Sequence, residues 1–363
     1  MPIRQRFDHL LLGATVLQTA AGLAVLASAS WVAASERYGR AASYFVTWQA
    51  ATAVVGLGLL VVVMHLRRDL LVEQRTAWIG VAASWALVLA AFAQPPVAST
   101  HRWLSVAGLS LQPSVLARLA LIVLVAVELP RIAAQGWRLA PLVRLGAVVA
   151  ATAAVVALAP DLGSAALLLA GVAGMAFVAG LPLGLAAAPA VVGLLGLVGA
   201  IVTSPYRLAR VRAFLDPEAA TAAAWQSTQS LIAIGSGSVL GRGYGAGLQK
   251  MFFLPEPHTD FIFAIVGEEL GLLGMMALLG LATVVVWRGL RIAVRQSNPS
   301  LALLAFGLAL AFALQTLVHM VVCLNLLPPK GIPLPLVSYG KTDLLISLIS
   351  LGLLVNLSRE VRS

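Results

Sequence analysis

Charge is what this chain has least of. Only 10% of its 363 residues are Asp, Glu, Lys or Arg, against about 25% in a typical soluble domain. That shortage excludes an ordinary soluble globular protein. It does not signal disorder, which needs low hydrophobicity. Lysine is scarce: Lys250, Lys330 and Lys341 stand beside arginines that make up the rest of the 24 basic residues. The net charge is +10, yet no basic run occurs, and the arginines sit singly or in pairs between apolar stretches. This pattern fits loop charge at anionic headgroups, so no nucleic-acid partner is expected. Cys323 is the sole cysteine, which excludes an internal disulfide and a Cys-based zinc site. The sequence has no Walker loop, dinucleotide fingerprint or His-Glu metal spacing. It also lacks a serine-triad signature, a Ser/Gly-rich linker, a low-complexity tract and a convincing repeat.

Apolar length is abundant. Apolar residues make up 60% of the chain and the mean hydropathy is +0.96. One bilayer crossing takes roughly 20 mostly apolar residues, so the content supplies about ten crossings. The pattern predicts an all-α integral membrane protein with spans over 10–34, 43–64, 77–94, 113–130, 141–159, 163–181, 183–203, 260–286, 300–326 and 335–357. The first run, Leu10 to Ala34, is too long for a signal-peptide core and reads as a retained span. Residues 1–363 form one polytopic domain in this reading.

Arg and Lys in short loops set orientation. With the N-terminus inside, thirteen basic residues fall on the cytoplasmic side, from Arg4 and Arg6 to Arg359 and Arg362. The short outer loops hold Arg37, Arg40, Arg102, Lys330 and Lys341. The expected topology is N-in and C-in, with 204–259 as a large extracytoplasmic loop between spans seven and eight. That segment holds Asp216-Pro217-Glu218, Gln226, Gln229 and a glycine series from Gly235 to Gly247, then Phe252-Phe253-Leu254. Such a mixture suits an ordered loop packed at the membrane surface, and long ordered loops tend to carry function.

Acids at membrane depth are costly and mark sites. Asp161, Asp260 and Asp343 come from three separate spans and reach one face in this topology, which suggests a polar cavity open to the outside. Each has a plainer reading as a helix cap or dipole partner. Asp260 is flanked by Glu256 and His258 and follows the Gly-rich segment. A carboxylate at such a boundary can be tuned into a general base. Glu268 and Glu269 read as structural. Arg118 lies inside a span and suits phosphate, or an ion pair with an acid such as Asp161 or Glu268. His319 reads as a satisfied core histidine, with Gln315 one turn away.

Four segments carry a resemblance. They are RWLSVAGLSLQPSVLAR from Arg102 to Arg118, PDLGS from Pro160, the run from Trp225 to Gly274 containing QKMFFLPEPHTDFIF, and LPPKGIPLPLVSYG from Leu327 to Gly340. Their order and spacing resemble the SEDS family (shape, elongation, division and sporulation), which includes FtsW, RodA and SpoVE, and the wording is nearer FtsW. The resemblance implies a peptidoglycan glycosyltransferase of the bacterial inner membrane. Such a protein polymerises lipid II at the outer face for cell division or cell shape. Its expected partners are lipid II, a class B penicillin-binding protein as transpeptidase, and other division or elongation membrane proteins. It places the catalytic aspartate on Asp260. Substrate contacts are then expected from Arg118, Asp161, Arg210, Arg212, Gln226, Gln229, Lys250, Glu256, His258, Ser338 and Lys341. A divalent cation, Mg or Mn, is a candidate cofactor. The alternatives are a flippase for lipid-linked precursors and a catalytically impaired paralogue acting as an assembly scaffold.

The chain departs from the family wording at several polar positions. The usual Gln-Pro-Ser-Glu with Lys three residues on reads Gln112-Pro113-Ser114-Val115 with Arg118, so the acid is gone from position 115. The usual Ser-Tyr-Gly-Gly-Ser-Ser reads Ser338-Tyr339-Gly340-Lys341-Thr342-Asp343. His319 stands for an asparagine, Asn325 for a glycine and Ala159 for a glutamine. Arg118 is then free for phosphate or another acid, and Lys341 and Asp343 are candidates to replace the missing pair.

Overall fold

The computed structural model describes residues 7–95, 101–106, 109–159, 161–216 and 221–359. Arg4, Arg6, Pro160, Pro217, Glu218 and Arg362, used above, lie outside them. Thirteen α-helices are found among the described residues. They begin with α1 (His9–Val32), prolonged by a π-helical turn over Ala33–Arg37, then α2 (Tyr44–Val63), the short α3 (Arg68–Leu71) and α4 (Gln74–Phe92). After α4 come two strands, β1 (Leu104–Val106) and β2 (Leu109–Leu111), paired antiparallel with Ser105 opposite Ser110. Helices α5 (Pro113–Ala134), α6 (Leu139–Leu158), α7 (Leu162–Val178), α8 (Leu183–Val202), α9 (Pro205–Leu215) and α10 (Ala222–Gly237) follow. The chain ends with α11 (Ile262–Arg295), α12 (Pro299–Cys323) and α13 (Lys341–Ser358). Starts carry expected caps: Asp8 accepts from Leu11 N–H at 2.9 Å, and Pro113, Pro205 and Pro299 occupy first turns.

Eight of the described helices are long and apolar enough to cross a membrane: α1, α2, α4, α6, α8, α11, α12 and α13. In hydrocarbon only closed backbone hydrogen bonding is tolerated, and helices provide it within one segment. Helix α7 has 17 residues, and α5 carries Arg118, Glu128 and Arg131. Both were expected as spans, but neither meets the same length and composition test.

The core lies where α5, α12 and α13 meet α1, α2 and α4, around Leu121, Leu124, Val125, Leu304, Leu348 and Leu354. A second, smaller cluster sits under the site described next. It joins Leu26 and Ala29 of α1 to Phe261–Val266, Cys323, Leu334 and Val337. By contrast α8 buries no residue of its own and lies at the edge.

Two features depart from the sequence reading. The hairpin at 104–111 makes the fold nearly rather than wholly helical; its Leu-Ser-Val and Leu-Ser-Leu triplets alternate with period two. The segment 204–259, expected as an ordered loop, holds two helices, α9 and α10, and α10 packs along the start of α11. At that contact a Cβ on Gly237 would stand 1.8 Å from Gly267 O, so only glycine allows the approach. Helix α11 breaks at Gly271, whose φ is +64°. The main-chain groups freed by the break are satisfied from outside the helix. Leu272 and Leu273 N–H donate to Ser238 and Val239 carbonyls at 3.0 and 3.2 Å. Arg242 and Gly243 N–H donate to Glu268 and Glu269 carbonyls, both at 3.0 Å. The Gly-rich turn is therefore plugged into a broken helix.

Candidate functional site

Asp260 sits in the turn just before α11, and two chain segments hold it. Its own N–H donates to Glu256 O at 3.2 Å. The segment before α13 grips the preceding residues: Ser338 Oγ donates to Thr259 O at 2.6 Å, and Tyr339 N–H to His258 O at 2.9 Å. The same Ser338 Oγ accepts from Leu334 N–H at 2.8 Å. Gly331 walls the carboxylate; a Cβ there would lie 3.0 Å from Asp260 Oδ2. Both segments are bent into the left-handed region at ordinary residues, Glu256 (φ +50°) and Leu336 (φ +66°). Such conformations persist only where the surroundings fix them.

Burial, and next the charge of Glu256, push the Asp260 carboxyl up to about 6, while Arg210, the Thr259 hydroxyl and Arg102 act against the rise. At neutral pH the group is mostly ionised yet basic enough to accept a proton. It is partly accessible, not sealed.

Cations gather around it. Arg210, on α9, donates to Pro329 O at 2.9 Å and stacks on Tyr206 at 4.8 Å. Lys330 lies next to that carbonyl in sequence; burial first, then Arg207 and Arg210, lower its pKa, with Asp161 opposing. Arg207 is tied to Ala200 O and Ala157 O at 3.0 and 3.2 Å. Arg102 Nε is buried without a hydrogen-bond partner, and its charge reaches Asp260. A partly accessible carboxylate within the field of Arg210 and Arg102, with Lys330 in turn within the fields of Arg207 and Arg210, suits an anion and a proton donor together.

Of the residues expected at the site, Asp161 lies within reach of Lys330. It caps α7 through Ser164 N–H at 3.2 Å and accepts from Gln112 Nε2 and Ser114 Oγ, both at 2.9 Å. Cap and inter-helix anchor are thus one side chain. Glu256 pairs with Arg37 at 2.8 Å. His258 is buried against Phe45, ring centroids 4.5 Å apart, and burial, then Arg37, lower its pKa to about 4, so it is neutral at pH 7. Ser338 serves Thr259 and Leu334 as described. Gln226 is half-buried and Gln229 buried on α10, and Arg212 is exposed on α9.

Others are placed elsewhere. Lys250 is fully buried and donates to Glu269, Ser28 Oγ and Gly245 O, the latter two at 2.8 Å, so all three ammonium hydrogens are used. Glu269 also accepts from Gly245 and Gly247 N–H, and Glu268 from Leu248 N–H at 2.7 Å. These acids are structural, as their sequence context suggested, and Lys250 belongs to their network. Lys341 lies over the Trp48 ring at 4.4 Å. Arg118 is paired across helices with Asp343 at 3.7 Å, and not with Asp161 or Glu268. His319 is a satisfied core histidine, its Nδ1 2.7 Å from Ile332 O.

Sequence reasoning missed Lys330 and Gly331 as members of the site, although LPPKGIPLPLVSYG was singled out. Arg102 entered it only as a loop charge and the start of a motif, and Arg207 was not singled out. The unusual Asn325 has φ +51°, the region glycine prefers and asparagine tolerates, which accounts for that exchange. Among the described residues, no group of three or more His, Cys, Asp or Glu is placed to hold a metal ion by itself.

Comparison with known proteins gives the family. The family model described as Cell cycle protein, covering FtsW, RodA and SpoVE, matches residues 8–363. A protein of Trichlorobacter lovleyi named probable peptidoglycan glycosyltransferase FtsW is 36% identical, over 98% of this chain and 94% of its own. One of the same name from Halomonas elongata is 39% identical over 76% and 72%. The crystal structure of Thermus thermophilus rod shape determining protein RodA superposes with a TM-score of 0.71 at 26% identity, covering all of both chains. A chain from a peptidoglycan synthase complex that coordinates polymerization and crosslinking gives 0.79 at 28%, over 98% of each. This multi-pass membrane chain therefore belongs to the FtsW/RodA/SpoVE family.

Proposed function

We infer that this chain is a peptidoglycan glycosyltransferase, and that Asp260 is its general base. The observation that carries the reading is the partly accessible Asp260 carboxylate, raised to about 6 by burial and Glu256 and lying within the field of Arg210 and Arg102. The substrate is lipid II. Asp260 takes the proton of the acceptor's GlcNAc 4-hydroxyl as that oxygen attacks the anomeric carbon of the donor's MurNAc. The bond from that carbon to the pyrophosphate oxygen breaks on the opposite face, and the leaving undecaprenyl pyrophosphate keeps the electron pair. The configuration inverts. Negative charge grows on the leaving group, and fixed cations stabilise it best when already in place. Arg210, Lys330 and Arg102 are the groups at hand.

The topology that serves this reaction counts α5 and α7 with the eight long apolar helices, giving ten spans, N-in and C-in. Asp260 and 204–259 then face outward from the bacterial cytoplasmic membrane. The balance of Arg in short loops supports that orientation. Glycan strands need crosslinking, and the likeness to a chain from a polymerization and crosslinking complex supports a class B penicillin-binding protein as partner. Purified protein given labelled lipid II is expected to make a ladder of glycan strands on a gel. Movement of lipid II across liposomes without polymer would contradict the reading and favour a flippase.

A further inference from the structure

We propose that Asp343 is a positioning residue that supplies, from α13, the one buried carboxylate Arg118 requires, and that the site depends on this charge parity rather than on which helix carries the acid. The reading of its effect on turnover rests on the proposed function.

Arg118 and Asp343 are both largely buried, with side chains 14% and 7% exposed. Asp161, the other acid whose field reaches Arg118, already accepts from Gln112, Ser114 and Ser164. An unpaired guanidinium at this depth is strongly unfavourable, so Asp343 sets where it rests. That position matters to Asp260. Arg118 lines a small cavity of about 30 Å³ together with Gln315 and Pro335. Gln315 Nε2 donates both to Asp343 Oδ1 and to Pro333 O, each at 2.9 Å. Pro333 and Pro335 belong to the stretch between Gly331, which walls the Asp260 carboxylate, and Ser338, which grips Thr259. Thr342 Oγ1 accepts from Gln112 N–H at 3.0 Å, joining the starts of α5 and α13 beside the pair. The paired Arg118 thus forms the floor under the segment that orients the base.

The helix offers a second place for the acid. Val115 is buried, one turn before Arg118 on α5, and residues three apart on a helix are neighbours. A glutamate there reaches Arg118 from its own helix.

The test compares Asp343→Ser, Val115→Glu and the double variant in full-length protein, reading lipid II polymerisation and thermal stability. Asp343→Ser should lower kcat about tenfold or more, the scale of a displaced reacting geometry, with KM changed less than about twofold. Val115→Glu alone should also be impaired, since it leaves one buried carboxylate in excess. The double variant should return to within about threefold of wild type. A folded double variant as slow as Asp343→Ser would overturn the proposal, and so would a harmless Val115→Glu. If Asp343→Ser does not accumulate, yield and Tm are read instead, and the double variant must recover them. Those two readouts stand even if the protein makes no polymer, so failure of the glycosyltransferase reading is told apart from failure of charge parity.

Discussion

Gly331 and Asp260 come from different parts of the chain and touch: a Cβ on Gly331 would lie 3.0 Å from Asp260 Oδ2. Gly331 does not have a left-handed φ, so space and not backbone freedom requires glycine there. The segment that holds the base is thus shaped by contact with the base. Gly331→Ala should fold with unchanged Tm and lose about tenfold or more in kcat, because a small displacement of a reacting group is expensive. Polymerisation rates alongside a melting curve check this. An alanine variant with full turnover would show the wall to be incidental.

The pH profile follows from the environment of Asp260. Only the ionised carboxylate can accept a proton, so activity should rise through about pH 6 and level off above it. Glu256 raises that midpoint and Arg210 lowers it. Glu256→Gln should therefore move the rise to lower pH, and Arg210→Gln should move it to higher pH. kcat/KM for lipid II measured across pH 5 to 8, which reports the free protein's ionisation, tests both signs.

Ser338 is a joint with two bonds. Ser338→Ala removes the donor to Thr259 O, which is part-buried, and the acceptor of Leu334 N–H, which is buried. Groups left unsatisfied in this way cost about 1–3 kcal/mol each. The variant should lose stability and turnover together, with Tm and kcat as the readouts.

Lys250 gives the opposite pattern. Lys250→Met leaves Glu269 charged and buried beside Ser28, and breaking one side of such a pair costs about 3–5 kcal/mol. Stability should fall sharply while the KM for lipid II in the surviving folded protein stays near wild type. A rise in KM without loss of Tm would restore Lys250 as a substrate contact.

Much of this was legible in the sequence because hydropathy is read along one dimension. The spans at 43–64 and 183–203 lie within a residue of α2 and α8. Asp260 stood out by its neighbours, and Glu268 and Glu269 by their depth. Helix α10 was not legible, because its Gln, Ser and Gly residues give no apolar run and its packing rests on Gly237 meeting Gly267. The break at Gly271 was hidden for a related reason: the partners of its freed carbonyls and amides lie at 238–243. Arg118 was recognised as needing an acid, but proximity in three dimensions selected Asp343.

The most direct measurement is lipid II polymerisation by Asp260→Asn, beside wild type, with a melting curve for each. Because burial raises the Asp260 pKa, its ionisation opposes folding at neutral pH, so the variant should melt no lower than wild type. Its polymerisation should fall by about 10²-fold or more, the scale of general-base catalysis. A well-folded Asp260→Asn protein that lengthens glycan strands at the wild-type rate would contradict the account.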